Sequence, residues 1–258
     1  MSRFFDYMIT FHFITLFPES TESYLNASIL KRAQERGLIK IKYYNPRDFT
    51  VSSKKGKKQT YSDRRVDNKP YGGGPGMVIE AMPVIKAIEL AMKKIQNSKS
   101  EIRLKSKNIN KKSRKTTAIV FFSPSGKQFT NKLADVYKKY PDIIFVCGRY
   151  EGIDARVKKA FPMVDISIGP YVLTGGELPA MIMVDAITRR IPGVLGDQLS
   201  VEEKRIASSD VYTRPGVIEY KNKKLNVPKV LLSGHHAKMN QWKASKNNKK
   251  KLITLISE

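Results

Sequence analysis

Apolar positions along the chain fall into short runs separated by stretches of helical spacing. Phe11 to Phe17 is a strand candidate that Pro18 ends, after which Leu25, Ile29, Leu30 and Ala33 recur at helical spacing with Gly37 placed to cap the end. Leu38 to Tyr44 alternates through Ile39, Ile41 and Tyr43, and Asn45-Pro46-Arg47-Asp48 closes it. A helix follows Met77, with Pro83 acceptable in its first turn and Val84, Ile85, Ile88, Ala91 and Ile95 along one side. Thr116 to Phe122 is β-branched and aromatic, a strong strand pattern. From there a helix over Lys127–Tyr140 leads to a strand at Ile143–Cys147, and a shorter one over Ile153–Phe161 leads to a strand at Met163–Ile168. A last helix, Leu178–Arg190, offers Ala180, Met181, Val184 and Ile187 for packing and stops at Ile191-Pro192-Gly193. Strand, glycine loop and helix in repetition predict an α/β fold with a mostly parallel sheet and helices on both faces.

The polar stretches divide this pattern. Residues 50–69 read as an exposed basic loop running into Asp67–Met77, where four glycines and two prolines fit a shaped loop better than a slack connector. From Asn97 to Lys115 the periodicity dissolves into Lys, Arg, Ser and Asn, which reads as a basic insertion. The predicted organisation is a main domain over 1–193, a polar linker over 194–215, and a short C-terminal domain over 216–258. Lys223 to Glu258 is a basic tail piece holding Trp242. It is too short for a large core and is expected to be a small helical appendage.

Charge changes the picture more than composition does. There are 48 Lys and Arg against 23 Asp and Glu, a net charge of +25. That excess points to a polyanionic partner, most plausibly nucleic acid, because each neutralised phosphate releases condensed counterions. A Lys- and Asn-rich bias, visible at Lys246–Lys251, accounts for part of it. One cysteine, Cys147, excludes an internal disulfide framework, and with three histidines it leaves no Cys/His cluster for structural zinc. No apolar run has the length of a membrane span, and Asp6 breaks the apolar start, so a cytoplasmic protein without membrane association is expected.

The candidate chemistry lies in two glycine-bearing loops. Cys147-Gly148-Arg149-Tyr150-Glu151-Gly152-Ile153-Asp154 and Ser167-Ile168-Gly169-Pro170-Tyr171-Val172-Leu173-Thr174-Gly175-Gly176-Glu177 each begin where a buried strand stops. Glycine there lets a ligand lie against bare backbone, whose N–H and C=O groups can read the edges of a planar heterocycle. Spacing alone fits two tight turns at the rim of a sheet equally well. In open parallel sheets, however, ligands bind beyond the carboxyl ends of strands, and Ser123–Gly126 falls at the same edge.

These loops, with Tyr71-Gly72-Gly73-Gly74-Pro75-Gly76-Met77, Leu178-Pro179-Ala180, Ile191-Pro192-Gly193-Val194-Leu195-Gly196 and Tyr212-Thr213-Arg214-Pro215, resemble the bacterial tRNA (guanine-37-N1)-methyltransferases. The blocks occur in the family's order from about Phe11 to about Trp242. The resemblance implies a deep trefoil knot at the cofactor site, one of the rare exceptions to unknotted topology. It implies a homodimer that holds the substrate guanine of tRNA between the cofactor loops of one subunit and the linker and tail domain of the other. It also implies S-adenosylmethionine as methyl donor and a reported need for magnesium, although no oxygen-ligand cluster is evident in the sequence and no metal ligand is assigned.

On the family pattern the donor is held by Ser123, Pro124, Gly126, Gly148, Tyr150, Glu151, Ile168, Gly169, Pro170, Tyr171, Val172, Leu173, Gly175 and Gly176. Methylating guanine N1 needs a base for its proton and a cation for the charge that grows on O6. Arg189 matches the family arginine on the O6 side. The family aspartate four residues before the tyrosine of Tyr212–Pro215 is here Ser208, and Asp210 is the nearest carboxylate, expected to act as the base. Pro170 replaces a usual aspartate. These two departures motivate a second reading, an RNA-binding relative with weak or lost turnover.

Overall fold

The computed structural model describes residues 8–50, 64–105, 117–195 and 210–245, with side chains to 98 in the second of these segments. The chain divides into two compact units, Met1–Val194 and Leu195–Glu258.

The first unit is built on a five-stranded parallel sheet in the order β2-β1-β6-β5-β7. Its strands are β1 (Ile9–Ile14), β2 (Ile39–Tyr44), β5 (Ala118–Gln128), β6 (Asp142–Val146) and β7 (Val164–Ser167). A separate two-stranded ladder pairs β3 (Asp67–Asn68) with β4 (Val78–Ile79). The central strands are mostly apolar on both faces because both faces are covered, with His12 a buried exception hydrogen-bonded to Asp142 and Tyr44. Phe11, Phe13, Ile143, Phe145, Ala118 and Val120 point into one core, while Ile14, Ile144, Val146 and Ile119 point into the other. Of the helices, α1 (Glu19–Leu25), α2 (Ser28–Glu35), α4 (Asn131–Tyr137) and α6 (Glu177–Thr188) contribute to the first core. The long α3 (Ala81–Lys105) and short α5 (Arg156–Ala160) contribute to the second. The α/β class and helices on both faces agree with the sequence pattern.

Three local departures have identifiable causes. The helical spacing from Leu25 to Ala33 is broken into α1 and α2 at Asn26 and Ala27, because Ala27 is extended and Ser28 has a positive φ of 47°. The expected helix from Lys127 starts only at Asn131. Lys127 and Gln128 instead continue β5 against Ile166 and Ser167, and Thr130 then caps the helix by accepting from Leu133 N–H at 3.3 Å. The periodicity that fades at Asn97 does not end the helix, since the backbone of α3 continues to Lys105, its last residues Glu101, Arg103, Leu104 and Lys105 being good helix formers; residues 106–116 lie outside the described ones.

The second unit opens with a hairpin that the sequence pattern did not predict. β8 (Val217–Tyr220) pairs antiparallel with β9 (Lys223–Asn226). Lys221 and Asn222 both have positive φ, the primed-turn geometry that suits a two-residue connection. Asn222 was the available signal. A short α7 (Lys229–Leu232) and helical residues 236–245 follow, with Trp242 packed on Tyr212 at 6.3 Å between ring centroids.

Candidate functional site

The carboxyl ends of β6 and β7 and the bulged middle of β5 border a single cleft of ≈ 380 Å³. The strand order explains its position. β6 is inserted between β1 and β5, and β7 returns to the far side of β5, so the loops leaving β6 and β7 diverge and leave a crevice between them.

Glycine sets the shape of each wall by allowing close approach. A Cβ on Gly176 would lie 2.6 Å from Cys147 Cα, so only glycine lets the start of α6 sit on the end of β6, where Gly176 N–H donates to Gly148 O at 2.9 Å. The Tyr171 ring folds over Gly169, where a Cβ would meet it at 2.2 Å, and its hydroxyl donates to Ile168 O. Ser167 Oγ both donates to Gly169 O and accepts from Gly169 N–H, fixing the first turn of the loop.

The loop after β6 is tied to the glycine-rich 71–77 segment. Glu151 N–H donates to Met77 O at 3.0 Å, and the Glu151 side chain packs on Gly76, whose φ of 86° and lack of a Cβ make room. Gly72, Gly73 and Gly74 also have positive φ, so this loop is shaped, and Tyr71 at its start is fully exposed.

Twelve of the fourteen residues assigned to the donor from sequence line this cleft: Ser123, Pro124, Gly148, Tyr150, Glu151, Ile168, Gly169, Tyr171, Val172, Leu173, Gly175 and Gly176. Gly126 does not. It lies against the β7 backbone, where a Cβ would be 2.7 Å from Ile166 N, and so serves the pinch in β5. Pro170 is exposed and also outside the lining. Arg189 caps the carboxyl end of α6, about 18 Å along the helix from the end that borders the cleft. Its neighbour Arg190 is the buried one, pairing with Asp135 at 3.1 Å. Asp210 is half-buried in the second unit, and Ser208 lies outside the described residues.

Sequence reasoning missed several lining residues, among them Arg149 and Lys158. Lys158 pairs with Asp165 at 2.7 Å and stands 4.0 Å from the Phe121 ring centroid. These partners come from different elements, so no local spacing announces them.

The electrostatics exclude one nucleophile. Burial, reinforced by the Glu177 carboxylate, pushes the Cys147 thiol well above its ordinary value, leaving it protonated and inert. At the cleft's flank the Asp154 carboxyl is held below its usual value by hydrogen bonds from Arg156. Among the described residues no group of three or more His, Cys, Asp or Glu is placed to hold a metal ion, so the described side chains do not build a magnesium site. Nor is any described helix long and apolar enough to cross a membrane.

Known proteins resemble the chain over most of its length. The family model described as tRNA (Guanine-1)-methyltransferase TrmD matches residues 9–254. A tRNA (guanine-N(1)-)-methyltransferase of Carboxydothermus hydrogenoformans is 42% identical over 234 residues, 89% of this chain and 79% of the relative. One from Clostridioides difficile is 42% identical over 237 residues, 90% of each chain. The crystal structure of tRNA (m1G37) methyltransferase from Aquifex aeolicus superimposes with a TM-score of 0.64 at 30% identity, covering 95% of this chain and 92% of that one.

Proposed function

The chain belongs to the tRNA (guanine-1)-methyltransferase family, and on that premise we propose that it transfers the methyl group of S-adenosylmethionine to N1 of guanine 37 in tRNA, with the donor held in the cleft at the ends of β5, β6 and β7. The observation that carries this reading is the convergence of three loops, rich in glycine, on one cleft. Such loops suit a donor whose adenine edge and bent sulfonium chain are recognised by main-chain N–H and C=O groups.

The donor supplies an activated methyl group, so the protein's tasks are alignment, removal of the N1 proton and stabilisation of charge on O6. Asp210 is the base in this reading, and Arg189 the cation toward O6. Arg189 stands at the end of α6 remote from the cleft of its own chain. The proposal therefore includes a homodimer in which the guanine is held between the cofactor loops of one subunit and the linker and tail domain of the other. Exposed Leu178 and Ile182, one turn apart on α6, support a partner on that helix. The trefoil knot belongs to the same reading: β6 enters between β1 and β5 after both have been laid down, an order that returns late chain among earlier segments.

Grip on tRNA falls to the basic second unit, where Arg214 and six lysines stand against Asp210 and Glu219 over residues 210–245. A cytoplasmic setting follows from the substrate.

The test is methyl transfer from labelled donor to tRNA transcripts carrying G37 or A37. Labelling of G37 alone is expected; equal labelling of both, or none, overturns the proposal.

A further inference from the structure

A polar cluster centred on buried Glu177 lies against the donor wall, and neither proton removal nor charge stabilisation on O6 employs it. Glu177, in the first turn of α6, is 2% exposed. Its Oε1 accepts from Thr15 Oγ1 at 2.6 Å, and its Oε2 lies 2.9 Å from Arg149 Nε. That second contact is close but off the hydrogen-bond line, so its attraction is coulombic. Thr15 Oγ1 also accepts from Phe17 N–H at 3.0 Å, which fixes the Phe17 ring under the Arg149 guanidinium at 4.9 Å. The far side of that guanidinium reaches Thr174 O at 3.5 Å. Three segments, those after β1, β6 and β7, are thus joined through one carboxylate and one guanidinium.

Gly175 ties this cluster to the cleft. A Cβ there would stand 2.4 Å from Arg149 Nε and 2.6 Å from Glu177 Oε2, so the backbone that lines the cleft rests directly on the ion pair. A buried ion pair gains little net stability over apolar packing, but removing one partner leaves the other charge uncompensated. Its effect therefore falls on the shape of whatever lies against it.

We propose that Arg149, Glu177 and Thr15 form a positioning lock for the methyl donor. Arg149 is a strut that holds the Thr174–Gly176 wall in register with the Gly148 loop, and its guanidinium is spent on that bracing, not on the tRNA. The inference rests on the reading of the cleft as the donor site.

The test uses the full chain, with S-adenosylhomocysteine affinity by calorimetry, single-turnover methylation of a G37 transcript, and tRNA affinity by filter binding. Glu177→Ala is expected to weaken donor-analogue binding about tenfold or more and to slow transfer, with tRNA affinity held within about twofold. Glu177→Gln keeps an acceptor for Thr15 but removes the charge that holds Arg149, so it recovers only part of the loss, while Thr15→Val costs about threefold. Asp135→Asn weakens an ion pair at the opposite end of α6, so it lowers Tm without changing donor affinity.

A folded Glu177→Ala with wild-type donor affinity overturns the inference, as does an equal donor loss in Asp135→Asn. Should Glu177→Ala fail to fold, Thr15→Val decides: wild-type affinity there overturns the lock. A wild-type chain that binds no S-adenosylhomocysteine overturns the donor reading and the lock together, whereas normal wild-type binding with unaffected variants removes the lock alone.

Discussion

The two units are built on opposite principles. In the first, two apolar layers enclose a parallel sheet, and the cleft is walled by backbone that glycines bring into contact. In the second, both strands of the hairpin are exposed along their whole length and the charged residues over 210–245 are mostly lysines. A wall of fixed backbone selects a ligand by shape. A surface of exposed cations selects by charge and tolerates motion. The division of labour proposed on this contrast is donor binding in the first unit, and nucleic-acid grip with proton removal in the second.

The strongest way to break that division is Asp210→Ala. As the base for N1, Asp210 should account for about 10²–10⁴-fold of the transfer rate. Binding of S-adenosylhomocysteine should be unchanged, because the described residues that line the cleft belong to the first unit. Single-turnover rates beside calorimetric titration check both halves. A wild-type rate already at the variant's level would favour the relative with lost turnover, and lost donor binding would show that the two tasks are not separate.

Gly176→Ala is the complementary experiment. The added Cβ would lie 2.6 Å from Cys147 Cα, and main chain cannot yield as a flexible side chain can. Donor affinity should fall at least about tenfold, and stability by about 1–3 kcal/mol from overpacking. Binding of tRNA to the folded variant should be retained. An alanine that binds the analogue normally would mean that the contact between the start of α6 and β6 does not shape the cleft.

Much of this contrast was legible in the sequence, and the limits have physical causes. Strands β6 and β7 read correctly because apolar runs ending in glycine have few other uses. The meeting of three loops at one cleft was legible because loops in a parallel sheet leave together at the strand ends. The pinch in β5 was not, since Gly126 is needed for the approach of another strand and nothing local reveals that. The Arg149–Glu177–Thr15 cluster was invisible for the same reason: its members are 28 to 162 residues apart, and a buried charge has no signature until its partner is known. The hairpin of the second unit was missed because neither β8 nor β9 has a buried face, so no alternation marks them.

The smallest effect bears on where stability resides. Tyr137, in α4, is 4% exposed, and burial, with Tyr140 beside it, pushes its phenol up to about 12. Burial does the same to Tyr44, also to about 12. An unfolded phenol loses its proton near pH 10. Below that pH both states are protonated and the contribution of burial is fully present. As pH rises from about 10 through about 12, the unfolded state ionises while the folded state resists, so stability is lost across that window. Tyr137→Phe keeps the ring and removes the proton, so the variant should melt within about 1 °C of wild type at pH 8 and about 2 °C above it at pH 11. Melting curves at the two pH values check the sign. An alkaline loss that Tyr137→Phe leaves untouched would place the pH-sensitive burial elsewhere than in α4, and would remove one reason for regarding the first unit as the part whose packing holds the molecule together.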